Sequence, residues 1–349
     1  MGSRRRPDAH IMSDPSLAPS VAATSSGPNR PPPVPRLVGV IVTYRRPEAF
    51  AAHLVRLAEQ TRPLDHLLVI DNDAGGSSAE VRAAVTAYER GGPQVSYERS
   101  ASNLGPAGAI AVGMERAIET ASDDDWIVLL DDDDPPAHDD VFERLLALAN
   151  DVGGSASTAD PVGAVGLIGS SFDRRAARLV RLADDDLDGV IDVDYIGGNQ
   201  FPMYRVGAVR ATGVFERRLF WGYDDLDYGL RLRRAGFRLV ISGELARRAR
   251  AHHGRLGDEG TAANRAAAAA TSGWRRYYAT RNLIHVLRKQ GLDKVAMRRS
   301  VVAGVAKPLR DGAGHPAATL TFLRLGLQGV ADGWSDRMGR RVAPREKPT

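Results

Sequence analysis

The chain contains no cysteine. A disulfide framework, a thiolate metal site and a thiolate nucleophile are therefore excluded, and the composition fits a reducing compartment. No apolar run of about 18 residues occurs, so no transmembrane helix is expected. Arg4, Arg5 and Arg6 have no apolar segment behind them, so a secretory signal is not expected either. The expected location is the cytoplasm. Excess charge is also scarce: 47 basic residues against 43 acidic ones leave a net charge of +4. That balance argues against a bulk nucleic-acid binder, and no nucleic-acid partner is expected.

Apolar residues make up 43% of the chain, enough for a substantial core. Residues 1–34 are the exception. They are rich in Pro, Ser, Ala and Gly, bury too little apolar surface to offset ordering entropy, and read as a disordered tail. Order begins at "RLVGVIVTY" (Arg36–Tyr44), whose continuous β-branched run suits a strand buried on both faces. Pro47 then opens an amphipathic helix. "HLLVIDN", "PQVSYER" and "WIVLL" read as further strands with helices between them. This alternation is the α/β signature, with a mostly parallel central sheet flanked by helices. Ligands of such sheets bind beyond the carboxyl ends of the strands. Thr43, Asp71-Asn72-Asp73 and the run Asp131–Asp134 all stand at such ends.

Four consecutive aspartates after a buried strand repel one another and need a reason to be there. Carboxylates are hard oxygen ligands, and Mg²⁺ or Mn²⁺ held by one or two of them completes its shell with substrate phosphates. In extended chain Asp131 and Asp133 point the same way, as do Asp132 and Asp134. The plain alternative is an acidic turn before a helix. Asp71 reads as a turn-forming residue or as an acceptor for a nucleobase or ribose. The Gly-rich "NLGPAG" (Asn103–Gly108) opens a helix and brings backbone near a diphosphate or sugar, but it is neither a Walker motif nor a dinucleotide fingerprint. In "FWGYDDLDYGLRLRRAG", Asp224, Asp225 and Asp227 open a helix, and Asp227 with Arg231 is an ordinary i,i+4 pair. Trp221 beside the acid pair suits a general base near an aromatic wall. His252 and His253 in "ARAHHGR" are candidate metal ligands, although a surface His pair is usually without function.

In this order, "VIVTYRRPE", "VIDND", "NLGPAGA", "LLDDDD", "YDDLDYGLRLRRAG" and "HHG" resemble glycosyltransferase family 2, the inverting enzymes of GT-A fold. The resemblance runs from about Arg36 to Arg255 and more loosely to "WRRYYATRNL". It implies a GT-A domain at residues 35–258, a helical basic extension at 259–340 and a disordered tail at 341–349. It implies transfer of a sugar from a nucleoside diphosphate to a hydroxyl of a glycan or lipid-linked acceptor. Asp225 matches the base, with Asp224 beside it. Asp131 and Asp133 match the Mg²⁺ or Mn²⁺ ligands, joined by His252 or, failing it, His253. Thr43, Tyr44, Arg45, Asp71, Asn103, Gly105, Asp132 and Trp221 fall at donor-binding positions. Arg45 departs from the family's usual Asn. The pattern looks most like actinobacterial galactofuranosyltransferases, with UDP-galactofuranose as the implied donor. A rhamnosyltransferase using dTDP-rhamnose is the alternative, followed by a nucleotidyltransferase or a non-catalytic nucleotide-sugar binder.

The last third mixes cations with apolar residues at helical spacing: Tyr277, Ile284 and Leu287, then Val295, Val301 and Val302, with Arg275, Arg276, Arg281, Arg288 and Lys289 beside the first set. One expectation is a peripheral membrane surface. The other is that these helices pack on the catalytic domain.

Overall fold

The computed structural model describes residues 34–76, 78–153, 161–257, 273–312 and 316–344. All but the last residue of the expected N-terminal tail, and the first part of the expected C-terminal extension, lie outside the described residues. Residues from Pro35 onward form one compact unit.

The first half alternates β1 (Leu37–Thr43), α1 (Pro47–Ala58), β2 (His66–Asp71), α2 (Ser78–Glu89), β3 (Gln94–Arg99), α3 (Gly105–Thr120), β4 (Trp126–Asp131) and α4 (Val141–Gly153). The second half brings β5 (Val162–Gly166), β6 (Gly169–Asp173), β7 (Arg178–Arg181), β8 (Val190–Val193), β9 (Tyr195–Ile196), β10 (Met203–Arg205), α5 (Val206–Thr212), α6 (Asp224–Arg234), β11 (Arg238–Ser242) and α7 (Gly243–His252). Eight strands form the main sheet in the order β3-β2-β1-β4-β10-β5-β11-β8, and β7-β6-β9 form a small second one. β3, β2, β1 and β4 run parallel; β10 enters antiparallel between β4 and β5, and β8 pairs antiparallel with β11. The main sheet is thus mixed, with its site-forming half wholly parallel.

Side-chain alternation along β1 explains the layers. Leu37 and Ile41 point to one apolar cluster, with Phe50 and Leu54 of α1, Val81 of α2 and Phe142 of α4. Val38 and Val40 point to the other, with Met114 of α3, Val209 of α5 and Tyr228 of α6. Burial on both faces is why the sequence shows a continuous apolar run here. The register sets Thr43 opposite Asp71 and Asp71 opposite Arg99, while Val42 stands opposite Asp131. All these strand ends share one rim.

After the sheet come α8 (Gly273–Lys289), α9 (Asp293–Val301), a π turn (Val302–Ala306), α10 (Lys307–Asp311) and α11 (Pro316–Trp334). Leu226 and Leu230 of α6 join Leu283, Ile284 and Leu287 of α8 in one apolar cluster. α11 lies tightly on α8: a Cβ at Gly329 would stand 2.8 Å from the Tyr277 carbonyl oxygen. The first of the two expected membrane-facing sets is corrected accordingly, while Val301 and Val302 of the second are exposed. Tyr277, Ile284 and Leu287 are buried, as are Arg276 and Arg281, so α8 is a core helix. Nor is the chain a loose tail at 341, because Tyr278 Oη donates 2.8 Å to the Val342 carbonyl.

Candidate active site

The loop after β1 grips the aspartates that end β4. Tyr44 N–H donates to Asp132 Oδ2 at 3.3 Å, and Arg46 pairs with Asp133. Asp132 is buried, whereas Asp131 and Asp133 are open to solvent. One carboxylate oxygen from each of the three lies within 4.8 Å of the others. That spacing fits a divalent cation, and the hard oxygen donors suit Mg²⁺ or Mn²⁺. The two open carboxylates are those of the Asp131–Asp133 register, while Asp134 accepts from Asn199 Nδ2 at 3.0 Å. Partial desolvation at the strand end, then the charges of Asp133, Asp132 and Asp134, push the Asp131 pKa up to about 6, although its side chain keeps solvent access. Burial also raises Asp132.

Behind this rim, Asp71 is fully buried. Its Oδ2 accepts from Tyr97 Oη at 2.6 Å and Ser78 Oγ at 2.9 Å, and its Oδ1 from Asp73 N–H at 3.1 Å. Here the residue braces the loop after β2. Asp73 in turn takes Arg45 Nε at 3.2 Å, and Arg45 adopts a left-handed φ of 57°. Asn72 Oδ1 accepts from Leu104 N–H at 2.9 Å, and Asn103 Oδ1 accepts from Gly105 N–H at 2.8 Å and Asn72 Nδ2 at 3.3 Å. Thr43 is buried at the strand end.

Gly105 joins the two halves of the cleft. A Cβ there would stand 2.1 Å from the Phe220 carbonyl oxygen, so only glycine lets the turn before α6 approach the start of α3. That turn is strained: Phe220 and Tyr223 have φ of 62° and 63°, a region that costs non-glycine residues about 1–3 kcal/mol each. Helix α8 holds it in place. Asn282, fully buried, donates from Nδ2 to the carbonyls of Leu219 (3.0 Å), Trp221 (2.9 Å) and Gly222 (2.8 Å). Arg281, equally buried, reaches the Leu219 carbonyl at 2.8 Å. The Trp221 ring lies edge-on to Trp274, and the Arg275 guanidinium stands 5.3 Å from each ring centroid.

The turn delivers Asp224 and Asp225 to a cavity of about 410 Å³. Both are raised in pKa. For Asp224 burial leads, then the Asp225 charge, and the Asp131 charge also acts, so the two acidic groups lie within electrostatic reach of each other. For Asp225 burial outweighs hydrogen bonds from Tyr195 and the Leu226 amide, the latter at 2.8 Å. Asp227 belongs to the scaffold: it is fully buried and pairs with Arg231 at 2.8 Å and Lys289 Nζ at 3.0 Å. His252 and His253 stand outside the three-aspartate group. The His252 ring contacts those of His138 and His253, with centroids 5.5 and 5.1 Å away. Sequence reasoning missed Tyr195, Asn282 and Arg46, and also His53, which lies buried in α1 with its pKa pushed down to about 4 by desolvation. A buried histidine inside an apolar helix face leaves no sequence pattern of its own.

Residues 40–165 match the model of the family Glycosyl transferase family 2. This stretch is similar to that family. It contains the β1 loop, the Gly-rich loop and the aspartate cluster, while the Asp224-Asp225 pair lies beyond it. The chain is also similar to Galactofuranosyltransferase GlfT1 of Mycobacterium tuberculosis, 35% identical over 206 residues, which cover 56% of this chain and 64% of that protein. The GlfT1 of Mycolicibacterium smegmatis is 33% identical over 212 residues, 56% of this chain and 65% of that protein. The chain thus spans just under two thirds of the curated relatives it matches. Among solved structures, the mannosyltransferase PcManGT from Pyrobaculum calidifontis, in complex with GDP-Man and Mn²⁺, aligns over 87% of this chain and 88% of its own with 15% identity and a TM-score of 0.47.

Proposed function

We propose that this protein is an inverting glycosyltransferase moving a sugar, galactofuranose from UDP-galactofuranose as the first candidate, to a hydroxyl of a glycan or lipid-linked acceptor in cell-wall polysaccharide assembly. The observation that carries the reading is the Asp224-Asp225 pair, buried at Asp224 and half-buried at Asp225, lining one cavity beyond the strand ends where the Asp131–Asp133 cluster stands. The similarity to the GlfT1 proteins supports the choice of donor.

In this reading Asp225 takes the proton of the acceptor hydroxyl. The acceptor oxygen bonds to the anomeric carbon as the bond from that carbon to the diphosphate oxygen breaks. Tyr195 and the Leu226 amide aim the carboxylate, and burial raises its basicity. Asp224 lies beside it, its own pKa raised by burial and then by the Asp225 charge. Asp131 and Asp133 would hold the divalent cation, which neutralises charge growing on the leaving diphosphate. Peripheral attachment to a membrane belongs to the proposal too. Its support is an exposed apolar row on α9–α10 and not the buried face of α8.

Asp225→Asn keeps the shape and removes the base. Turnover of UDP-galactofuranose with a lipid-linked acceptor, followed by mass spectrometry, should fall by at least about 10²-fold. Nucleoside diphosphate binding should be kept. Near-normal transfer by the variant would remove Asp225 from the mechanism, and no product from any nucleotide-sugar of a panel would sink the reading as a whole.

A further inference from the structure

Across the cavity from Asp224 and Asp225 stand three cations: Arg276 of α8, Arg299 of α9 and Lys307 of α10. The stretch similar to family 2 ends far before them in sequence. Two of them, the arginines, have incomplete hydrogen-bonding, and Lys307 is exposed. Arg276 is 6% exposed, its Nη1 bonds Asp311 at 2.8 Å and its guanidinium sits over the Phe322 ring, yet its Nε is buried with no partner. Arg299 Nε is likewise buried without a partner. Among the described residues neither Arg299 nor Lys307 has a carboxylate within 4.0 Å. Asp311, the acid at this wall, is already shared by Arg276 and Arg310. Partial desolvation, then the Arg276 charge, lowers the Lys307 pKa although its side chain is exposed, so the cations also repel one another.

Buried N–H donors without acceptors are rare in folded proteins, and each orphan calls for a partner. Three cations on one cavity wall, of which Arg276 alone is held by a carboxylate, make a place for an oxyanion. The aspartate cluster, where the donor diphosphate belongs, does not line this cavity, whereas the proposed base does. The anion therefore comes with the acceptor. Leu179, Leu283 and Val302 line the same cavity, so the charged wall adjoins an apolar one.

We propose that Arg276, Arg299 and Lys307 form a subsite for a phosphate or diphosphate carried by the acceptor, placed so that the acceptor hydroxyl meets Asp225. The inference rests on the glycosyltransferase reading only for the word acceptor; the anion site stands on its own geometry. The phosphate can belong to a lipid headgroup or to a soluble phosphorylated acceptor.

Inorganic pyrophosphate, titrated calorimetrically into the full chain with chelator present, tests the site without the metal. Wild type should bind. Arg299→Gln and Lys307→Gln should each weaken binding about tenfold or more, the scale of a lost charge-assisted hydrogen bond, and Arg299→Lys should lose less. Phosphatidylcholine vesicles with and without phosphatidic acid separate the two sources. Capture by phosphatidic acid that depends on Arg299 and Lys307 marks a headgroup, and pyrophosphate binding without such capture marks a soluble acceptor. A separate titration with nucleoside diphosphate and Mn²⁺ should be unchanged in all three variants. Its failure in wild type would sink the donor reading and leave the anion subsite in place. Unchanged pyrophosphate binding in both Gln variants, no binding of pyrophosphate or phosphatidic acid, or equal loss of nucleoside diphosphate binding in the variants would each overturn the proposal.

Discussion

Asp131 ionises with difficulty, and this ties stability, pH and metal together. Its pKa is raised from an ordinary 3.8 to about 6. A carboxylic acid raised in this way holds its proton more tightly folded than unfolded, so the fold loses stability as pH climbs through that window. A cation that binds the ionised form restores it, but below about pH 6 it must first displace a proton. Mn²⁺ should therefore raise the melting temperature more at pH 7 than at pH 5, with affinity weakening toward about tenfold per pH unit below 6. Asp131→Asn should melt higher than wild type without metal at pH 7 and lose the Mn²⁺ response. Equal Mn²⁺ shifts at both pH values would remove the proton competition at Asp131, and none at either would leave the cluster as a charged turn.

At the scale of elements, the turn before α6 depends on a helix about sixty residues later. Its positive-φ residues favour relaxation, and Asn282 of α8 opposes this with three hydrogen bonds to turn carbonyls. Asn282→Ala leaves the Trp221 and Gly222 carbonyls, and the Arg281 Nε that donates to Asn282 Oδ1 at 2.8 Å, short of a partner, while the Leu219 carbonyl keeps Arg281. Unfolding in denaturant should show a loss of about 3 kcal/mol, on the scale of one or two orphaned buried groups. Fluorescence of Trp221 and Trp274 should report a looser turn. A cost below about 0.5 kcal/mol, the surface-mutation scale, would mean that the turn holds itself.

For the whole molecule, the exposed apolar surface lies away from the core face of α8. Met297, Val301, Val305 and Leu309 recur every four residues through α9, the π turn and α10, with exposures of 56, 61, 39 and 49%. Lys294, Arg298 and Arg310 are exposed on the same stretch. An apolar row among cations suits the interface of an anionic bilayer. Among the described residues no helix is long and apolar enough to cross a membrane. The full chain should pellet with anionic vesicles at low salt and be released over a few hundred millimolar as the Debye length shortens. Met297→Asp with Val301→Asp should stay in the supernatant at every salt. Wild type that ignores vesicles, or a double variant that pellets equally, would end the idea of attachment through this face.

The amino-acid sequence alone determined the parallel half of the sheet and the acidic rim at its strand ends. Strands β1, β2 and β4 are buried on both faces, so their apolar runs are local and unbroken, and Asp131–Asp134 follow such a run directly. The Asp224-Asp225 pair was legible for the same reason, since acids at a helix start obey a local rule. Tertiary structure decided the rest. A basic amphipathic pattern is the same for a helix on a membrane and a helix on a protein, and only packing against α6 and α11 shows that Tyr277, Ile284 and Leu287 face inward. The wall of Arg276, Arg299 and Lys307 opposite the acid pair was likewise invisible. Its members lie on three helices, and charge convergence across a cavity is a property of distance in space that spacing along the chain does not record.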